Sequence, residues 1–554
     1  MALDNIAKPE LELPVAMLDT ATSIADWSII FPVVIALMGG ALLAMIRHSR
    51  GSQIGFSLLA VLAIIGVEAE LLYRVIVNGP IAMTMGNWLP PFGISFVADA
   101  MSVGFALTAA FVTLVVLIYF QAEIVPRETR HGFYPLVMLL LAGVTGAFLT
   151  GDLFNLYVWF EVMLIASFGL MIIGGRKIQL DGAIKYGFLN FLATTFFLVG
   201  LGYLYGLLGT LNMADISLVA PLANPAAMTA IAAIFFLAFA MKAAAFPVNA
   251  WLPASYHTPD AAVSALFGGL LTKVGAYVLL RVLIALLPEQ RDVFDPIITI
   301  IAILTLITAP LGAIAQTNLR RALGFFVIGG IGAILAGIAA PSIKGVSGAT
   351  FYVFHAMLTM SAFYLVAGLV ERVTQATDTR QMGGVYASNS LLSIMFLILV
   401  FAAAGLPPFL GFWPKLLLTE AALQQSDWWL AGAILINSIL TSIAGTRLWA
   451  HIFWRNGREG KKSEVKNDRL RALKPKENRF ALGASVALVL VIIIIGIKPN
   501  IVFQSATIAA KGLLQTTTYI TAVGLELPTS VTPTSVAPAS VSPASNPPAS
   551  GVAQ

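Results

Sequence analysis

The apolar residues of this chain form runs of roughly 18 to 24, separated by short polar segments. A helix needs about 20 consecutive apolar residues to cross the hydrocarbon core of a bilayer. Only 11% of the 554 residues are charged, whereas soluble domains contain about 25%. Transmembrane strands alternate apolar and polar positions, but residues 486–497 are an unbroken apolar run. The sequence therefore predicts an all-α polytopic membrane protein and excludes a soluble enzyme core.

Cofactor chemistry and nucleotide-driven chemistry have no support in the sequence. The chain contains no cysteine, which excludes disulfides, thiolate metal sites and Cys-ligated iron–sulfur clusters. It also lacks the glycine-rich phosphate-binding loops and the HExxH zinc motif. The net charge of +5 is interpreted as topological, because Lys and Arg mark the cytoplasmic loops of membrane proteins. We expect no enzyme activity of its own, no cofactor, no metal and no nucleic-acid partner.

Hydropathy predicts about fourteen transmembrane helices. Arg47, His48 and Arg50 follow the first span, which places that loop in the cytoplasm and the acidic segment 1–26 outside. This segment lacks the basic start of a signal peptide, so the first helix is expected to be retained. The loop 451–479 has ten Lys and Arg residues against four acidic ones, which predicts that it is cytoplasmic and that both termini are outside. Binding of this loop to anionic lipid or a partner subunit stays open as an alternative.

Two of the predicted spans are interrupted in comparable ways. The seventh contains Phe246-Pro247 and Pro253, and the twelfth contains Gly405-Leu406-Pro407-Pro408. Proline removes a backbone donor and clashes with the preceding helical turn. Paired interruptions in two halves of a membrane protein indicate inverted repeats with an ion path between them, although prolines in such helices can also serve packing alone. We predict discontinuous helices 7 and 12 within two inverted five-helix repeats.

These features divide the chain into seven segments. The predicted segments are an outer N-terminal segment (1–26), helices 1–3 (27–130), the first repeat with helices 4–8 (131–290), the second repeat with helices 9–13 (291–450), the basic cytoplasmic loop (451–479), helix 14 (480–498), and a C-terminal segment whose Pro- and Ser-rich tail is expected to be disordered (499–554).

Four charged residues fall at bilayer depth, namely Glu161, Lys242, Lys273 and Lys415. Unpaired charges cost several kcal/mol there, so each is a functional candidate. Glu161 is the ninth residue of its predicted span, close to the midplane, and Lys242 and Lys415 flank the two interruptions. Desolvation disfavours a charged lysine and a nearby carboxylate favours it, so such groups can pass protons. The alternative is a static ion pair between Glu161 and Lys242 that joins two helices.

Further candidates are less distinctive. His257 and His355 could shuttle protons or serve as hydrogen-bonded structural residues. Lys185 could join the relay or extend to the membrane interface. Glu420 and Asp152 are lower-ranked candidates, Glu420 as an exit group and Asp152 as a structural residue at a helix end. Asp99, Glu68 and Glu70 are expected to be structural, hydrated or paired near outer helix ends.

Several long motifs resemble a known family. They are residues 146–167 around Glu161, the segment from Lys242 to Trp251, Thr258-Pro259-Asp260, and Gly411-Phe412-Trp413-Pro414-Lys415. They are similar to the antiporter-like proton-translocating subunits shared by respiratory complex I and Mrp-type cation/proton antiporters. Residues 86–94, 448–454 and 519–523 are similar in particular to the D subunit of the Mrp type. The resemblance covers about residues 28 to 525.

The resemblance implies a mid-membrane hydrophilic axis, a bacterial cytoplasmic membrane, and assembly with other Mrp-type antiporter membrane subunits. Glu161 and Lys242 match the family's proton-input pair, Lys273 the connecting lysine, and Lys415 the lysine on the second broken helix. Some relatives have a lysine shortly after the histidine that matches His355, whereas Thr359 and Met360 follow here. His355, with water, is therefore the expected central link.

The leading hypothesis is a proton-translocating subunit of a multisubunit Na⁺ or K⁺/H⁺ antiporter, with protons, one of these cations and membrane lipids as its other partners. The first alternative is a proton-pumping subunit of a redox complex of the complex I or membrane-bound hydrogenase type. A scaffold that only assembles the complex is the second, and the retained buried charges argue against it.

Overall fold

The structure is a computed structural model that describes residues 23–123, 126–455 and 470–527. Most of the acidic N-terminal segment, the central part of the basic loop (456–469) and the Pro- and Ser-rich tail from 528 lie outside the described residues. The described part is predominantly helical, as predicted, and eleven of its helices are long and apolar enough to cross a membrane.

The first half of the chain forms seven long helices and one short one. They are α1 (Phe31–Met45), α2 (Arg50–Asn78), α3 (Ala100–Glu123), α4 (Phe133–Leu149), α5 (Leu153–Ile172), α6 (Lys177–Leu208), α7 (Pro225–Ala243) and the short α8 (Trp251–Ser255). One- or two-turn segments at Pro126–Arg130 and Met213–Val219 lie in the connections.

The second half continues in the same way. Its helices are α9 (Ala261–Leu286), α10 (Pro288–Ala315), α11 (Leu319–Ala339), α12 (Ile343–Thr374), α13 (Ser390–Ala404), α14 (Phe412–Gln424), α15 (Trp428–Trp454), α16 (Glu477–Ile497), α17 (Asn500–Leu514) and α18 (Thr517–Ala522). Helix α10 begins three residues before the predicted segment boundary at 291, and α16 begins three residues before the predicted start at 480.

One element departs from the all-α prediction. Strands β1 (Ile81–Thr84) and β2 (Ser95–Ala98) pair antiparallel in the connection between α2 and α3, with Ile81 opposite Ala98. The pair is too short to give an alternating signal over the usual window, so hydropathy did not detect it. The fold is therefore a helical bundle with a small two-stranded hairpin at one end.

Polar residues at the helix starts explain why the apolar runs fold where they do. The Asp152 carboxylate accepts a hydrogen bond from the Asn155 backbone N–H at the start of α5. Asn224, Asn318 and Ser342 cap α7, α11 and α12 in the same manner. Each side chain satisfies a backbone donor that the first helical turn leaves unpaired.

Both predicted helix interruptions are present. Helix α7 ends at Ala243, the next residue Ala244 has φ of +63°, and helical structure resumes at Trp251. Helix α13 ends at Ala404, Gly405 has φ of +81°, and α14 begins at Phe412. The left-handed backbone at each helix end is the usual C-terminal cap geometry, and it leaves carbonyl groups at the break free to accept other donors.

Burial separates an inner group of helices from an outer group. The most apolar stretches of α9, α11 and α12 are 94–100% buried, whereas those of α2 and α6 are only 33% buried. A helix that is hydrophobic all round belongs inside a large bundle. Lys273 lies on α9 and His355 on α12, so the fold places these two titratable residues at its centre.

Candidate functional site: a buried polar row

Lys242 lies in the last turn of α7, just before the first break, and is 6% exposed. Its Nζ is 4.6 Å from the centre of the Phe160 ring on α5, a distance at which a ring face attracts a cation. The partial negative charge at the C-terminal end of α7 also favours the ammonium. The chain break therefore creates a site for a positive charge inside an apolar bundle.

Glu161 follows Phe160 and is half-buried on α5. Its charge acts electrostatically on Lys242. The two side chains, both within the described part of the chain, do not form an ion pair. The static ion pair considered from sequence is thus not the arrangement present, and the aromatic ring holds the lysine instead.

A small cavity of about 10 Å³ adjoins the Lys242 side chain. Polar and aromatic residues that line it include Tyr186, Asn190, Trp251 and Tyr256. This volume corresponds to about one water molecule in a polar setting. The cavity beside Lys242 therefore has room for about one water molecule.

Lys273 lies on α9 and is 1% exposed. Its Nζ donates hydrogen bonds to the Gly268 carbonyl at 2.6 Å and to Thr272 Oγ1 at 3.2 Å. Gly268 belongs to a π-helical segment, Phe267–Leu271, and such bulges often occur at functional sites because they displace carbonyls from the regular ladder. The wider helical turn supplies the acceptor that the buried ammonium requires.

His355 on α12 is fully buried, and its Nδ1 lies 3.1 Å from Thr359 Oγ1. Its Nε2 has no hydrogen-bond partner among the described residues and faces Gly411 at the second break, where an added Cβ would lie 2.9 Å away. The positive charges of Lys415 and Lys273 both reach the ring. His355 is therefore within electrostatic range of both lysines.

Lys415 lies in the first turn of α14 and is 4% exposed. Its Nζ donates 3.0 Å hydrogen bonds to the Ala404 carbonyl, Asn437 Oδ1 and Ser438 Oγ. Ala404 is the last residue of α13, so its carbonyl is one that the break has freed. All three ammonium hydrogens have acceptors, which offsets the cost of burying the charge.

Lys242, Lys273, His355 and Lys415 form what we call the polar row. It begins beside Glu161 at the first break and ends at the second. Each member is at most 6% exposed. A row of buried ionisable groups, set between two broken helices, is typical of polytopic ion-transport proteins.

Other predicted candidates lie outside this row. Lys185 is exposed and pairs with Asp181 at 2.5 Å, and Glu420 pairs with Lys344 at 2.8 Å, with both side chains of that pair 43% exposed. Asp152 caps α5, and burial raises the pKa of its carboxyl to about 6. The structure gives these three residues local roles at helix ends or on the surface.

His257 lies in the turn between α8 and α9, next to the first break. Its Nδ1 is 2.8 Å from the Pro253 carbonyl. Burial, followed by the positive charges of Arg320, Arg321 and Lys185, lowers the pKa of His257 to about 4. The ring is therefore neutral near neutral pH and is fixed by the backbone of α8.

The sequence did not lead us to the two side chains that accept hydrogen bonds from the Lys415 ammonium. Asn437 and Ser438 are a polar pair inside the otherwise apolar run 433–440, which was the available signal. It also placed Glu68 near a hydrated helix end, whereas Glu68 is 0% exposed. Asp99, expected to be paired or hydrated, pairs with Arg281 at 2.5 Å.

Ion pairs tie the helices together at the end of the bundle where α3 and α12 finish. Arg372 pairs with Glu123 at 2.8 Å and with Glu477 at 3.5 Å. Arg320 pairs with Glu371 at 3.0 Å. Several charges that share partners in this way stabilise more than isolated pairs do, so this network holds α3, α11, α12 and α16 in place around the row.

Known proteins are similar to this chain in sequence and in fold. The profile of the family described as "NADH:quinone oxidoreductase/Mrp antiporter, TM" matches residues 150–441, more than half of the chain. The chain belongs to this family.

Individual proteins of known name or structure are similar to most of the chain. The chain is 36% identical, over 89% of its length and 99% of the relative, to the Na(+)/H(+) antiporter D subunit of Alkalihalophilus pseudofirmus. Its fold matches a chain of the Mrp complex from Dietzia sp. DQ12-45-1b with a TM-score of 0.82 and 26% identity, covering 91% of this chain and 100% of that one. A chain of an archaeal membrane-bound sulfane sulfur reductase matches with a TM-score of 0.78 and 25% identity, over 91% and 100%.

Proposed function

We propose that this chain is the proton-translocating subunit of a multisubunit Na⁺ or K⁺/H⁺ antiporter in a bacterial cytoplasmic membrane. The observation that carries the proposal is the buried polar row, which joins the two broken helices. A buried group can exchange protons only if a neighbouring charge or dipole changes its balance between desolvation and pairing. The similarity to the D subunit of a Na(+)/H(+) antiporter supports the choice of reaction.

The proposed path starts at Glu161 and Lys242. Protonation of Glu161 removes the negative charge that favours the Lys242 ammonium, so Lys242 releases a proton toward the small adjoining cavity. Lys273 accepts it at Nζ, and His355 carries it between Lys273 and Lys415 through its Nε2. Lys415 then releases it on the far side of the second break. Lys185, Glu420, Asp152 and His257 lie beside this path, and we assign them supporting roles.

We further propose fourteen membrane crossings in two inverted repeats. The eleven long helices account for most of them. The short apolar helices α1 and α4, and the pair α13 and α14 taken as one interrupted span, add the remaining three. Breaks at matching places in the seventh and twelfth crossings support the repeat relationship. With fourteen crossings and the basic loop in the cytoplasm, we propose that both termini lie on the outer face.

The partners follow from the same proposal. Exposed apolar faces on the outer helices α2, α6 and α15, such as Leu59, Ile184 and Ile439, suit lipid and neighbouring membrane subunits, because a soluble surface of this kind would aggregate. We propose that other Mrp-type antiporter subunits cover part of this surface.

A redox-driven proton pump is the second candidate, since the fold is also similar to the sulfane sulfur reductase chain. In that case the row would be the same, and the driving force would come from electron transfer in a partner subunit.

Proton flux in everted vesicles that contain the whole complex tests the proposal and separates the two candidates. In the wild type, pulses of Na⁺, K⁺ or Li⁺ without a respiratory donor should cause a proton flux. The substitutions Lys242→Ala and Glu161→Ala should abolish this flux. Lys177→Ala, at the exposed start of α6, is the matched control and should behave as wild type. Normal exchange in an assembled Lys242→Ala complex would refute the proposal, and flux only with a redox donor would favour the pump.

A further inference from the structure

An apolar cavity of about 490 Å³ lies among α2, α3, α12, α16 and α17, away from the polar row. Its walls include Leu72, Phe105, Phe351, Phe354 and Ile495. The volume is in the range of cavities that hold small organic ligands. Its rim includes Ala69, which is exposed, and Ile501, which is 77% exposed. The cavity therefore opens toward the hydrocarbon around the protein.

A second cavity of about 240 Å³ adjoins the first at Ala100, which lines both. The wall of this cavity is mixed, and its polar residues include Lys511, Gln515, Thr517 and Thr518. It lies near the helix ends where α2 finishes and α3 begins. The two cavities together form a site that is apolar on the membrane side and more polar toward the end of the bundle, which we call the polar end.

The charges in the wall of the second cavity indicate which chemical group could bind there. Lys511 is exposed, and within the part of the chain that the structure describes its ammonium forms no ion pair. The one carboxylate in this wall, Asp99, is already paired with Arg281 at 2.5 Å. The remaining positive charge suits a phosphate group, which lysine binds as a point charge.

Helix α17 contributes residues to the walls of both cavities. Ala506 lines the apolar cavity and Lys511 the second one, five residues apart, so their backbones are about 7.5 Å apart along the axis. Thr350, 4% exposed, also lines the apolar cavity, and its hydroxyl has no hydrogen-bond partner among the described residues. A polar group of a ligand next to Thr350 could form a hydrogen bond with this hydroxyl.

We propose that a glycerophospholipid binds in this site, with an acyl chain in the apolar cavity and its phosphate beside Lys511. A lysine near the membrane surface attracts anionic lipid head groups electrostatically. The bound chain packs against Phe351 and Phe354, on the helix that carries His355, so the lipid fills the space behind the central part of the polar row. The proposal does not depend on the transport function.

Photocrosslinking of the whole complex in nanodiscs tests it, with phosphatidylglycerol that has a diazirine on its acyl chain. Peptides spanning 100–111 and 350–358 should be labelled in the wild type. Gly104→Phe should abolish the labelling, because Gly104 lines the cavity and a Cβ there meets no atom within 4 Å. Gly202→Phe is the matched control, since Gly202 also has open space and lies on α6.

Lys511→Gln should lower the labelling about fivefold, in line with the loss of one lysine near an anionic head group. Lys498→Gln, whose side chain lines neither cavity, should leave it unchanged. If Gly104→Phe does not assemble, the comparison of Lys511→Gln with Lys498→Gln still tests the proposal. Unchanged labelling in both cavity variants would overturn the proposal, as would an absence of label from both peptides in the wild type.

Discussion

The ammonium of Lys415 donates a 3.0 Å hydrogen bond to Asn437 Oδ1, and the Asn437 amide in turn donates to the Leu306 carbonyl at 2.7 Å. Asn437 thus links the second broken helix to α10 while it holds the last cation of the row. A buried side chain that serves a charge and a backbone carbonyl together is costly to replace, because both partners lose a hydrogen bond.

Asn437→Leu should therefore reduce cation-dependent proton flux by about tenfold or more, since a hydrogen bond to a charged group contributes about 1.5–3 kcal/mol. Ser438→Ala removes one of the three acceptors of Lys415 and should have a smaller effect. Flux in everted vesicles measures both. Ser442→Ala, one turn further along α15, is the control. Wild-type flux in an assembled Asn437→Leu complex would show that this contact is dispensable.

Gly411→Ala should impair both stability and flux. A Cβ at this position would lie 2.9 Å from His355 Nε2 and would also collide with the Ala402 carbonyl. Overpacking of this kind costs about 1–3 kcal/mol. We expect a lower Tm for the complex and reduced flux, whereas Gly432→Ala, which has open space, should change neither. An unchanged Tm and flux in Gly411→Ala would contradict the tight contact between His355 and the break.

Acid should destabilise the complex partly through His257. Its folded pKa of about 4 is below the value of about 6.5 for an unfolded histidine. Between these two values the unfolded chain binds the proton and the folded chain does not, so stability is complete above pH 6.5 and is lost as the pH falls toward 4. Melting curves from pH 7.5 to 4.5 should show a smaller loss of Tm for His257→Gln than for the wild type.

The exposed His48 provides the comparison for that experiment. His48→Gln should keep the wild-type dependence of Tm on pH. A His257→Gln curve that is parallel to the wild-type curve would mean that the His257 ring does not contribute to acid sensitivity.

The pair of Arg281 and Asp99 should contribute strongly to the stability of the complex. The Arg281 side chain is 4% exposed and the Asp99 side chain 15%. Asp99→Asn would leave the buried guanidinium without its counter-charge, which costs about 3–5 kcal/mol. Asp181→Asn removes the partner of Lys185 from a pair whose side chains are 50% and 59% exposed, and such pairs contribute at most about 1 kcal/mol.

We expect Asp99→Asn to lower the Tm and the yield of assembled complex strongly, and Asp181→Asn to alter neither. Thermal melting and gel filtration of the purified complex measure these quantities. Equal effects of the two substitutions would show that burial does not decide the importance of these pairs.

The sequence by itself determined the class of protein, because hydrophobic length and helix interruption are local properties. The apolar runs, the breaks at Pro247 and Pro407, and the titratable residues Glu161, Lys242, Lys273 and Lys415 could all be identified from the chain. The positions of the breaks agree with the structure because a proline acts on its own helical turn.

Only the tertiary structure decided which polar groups meet. Lys185 and Lys273 are both lysines in apolar surroundings in the sequence, yet one is exposed beside Asp181 and the other is buried against a π-helical carbonyl. Asn437 contacts Leu306, 131 residues away. Periodicity reveals that a residue lies on a helix, but its partners depend on how distant helices pack. That packing sets the solvation of each charge and hence its chemistry.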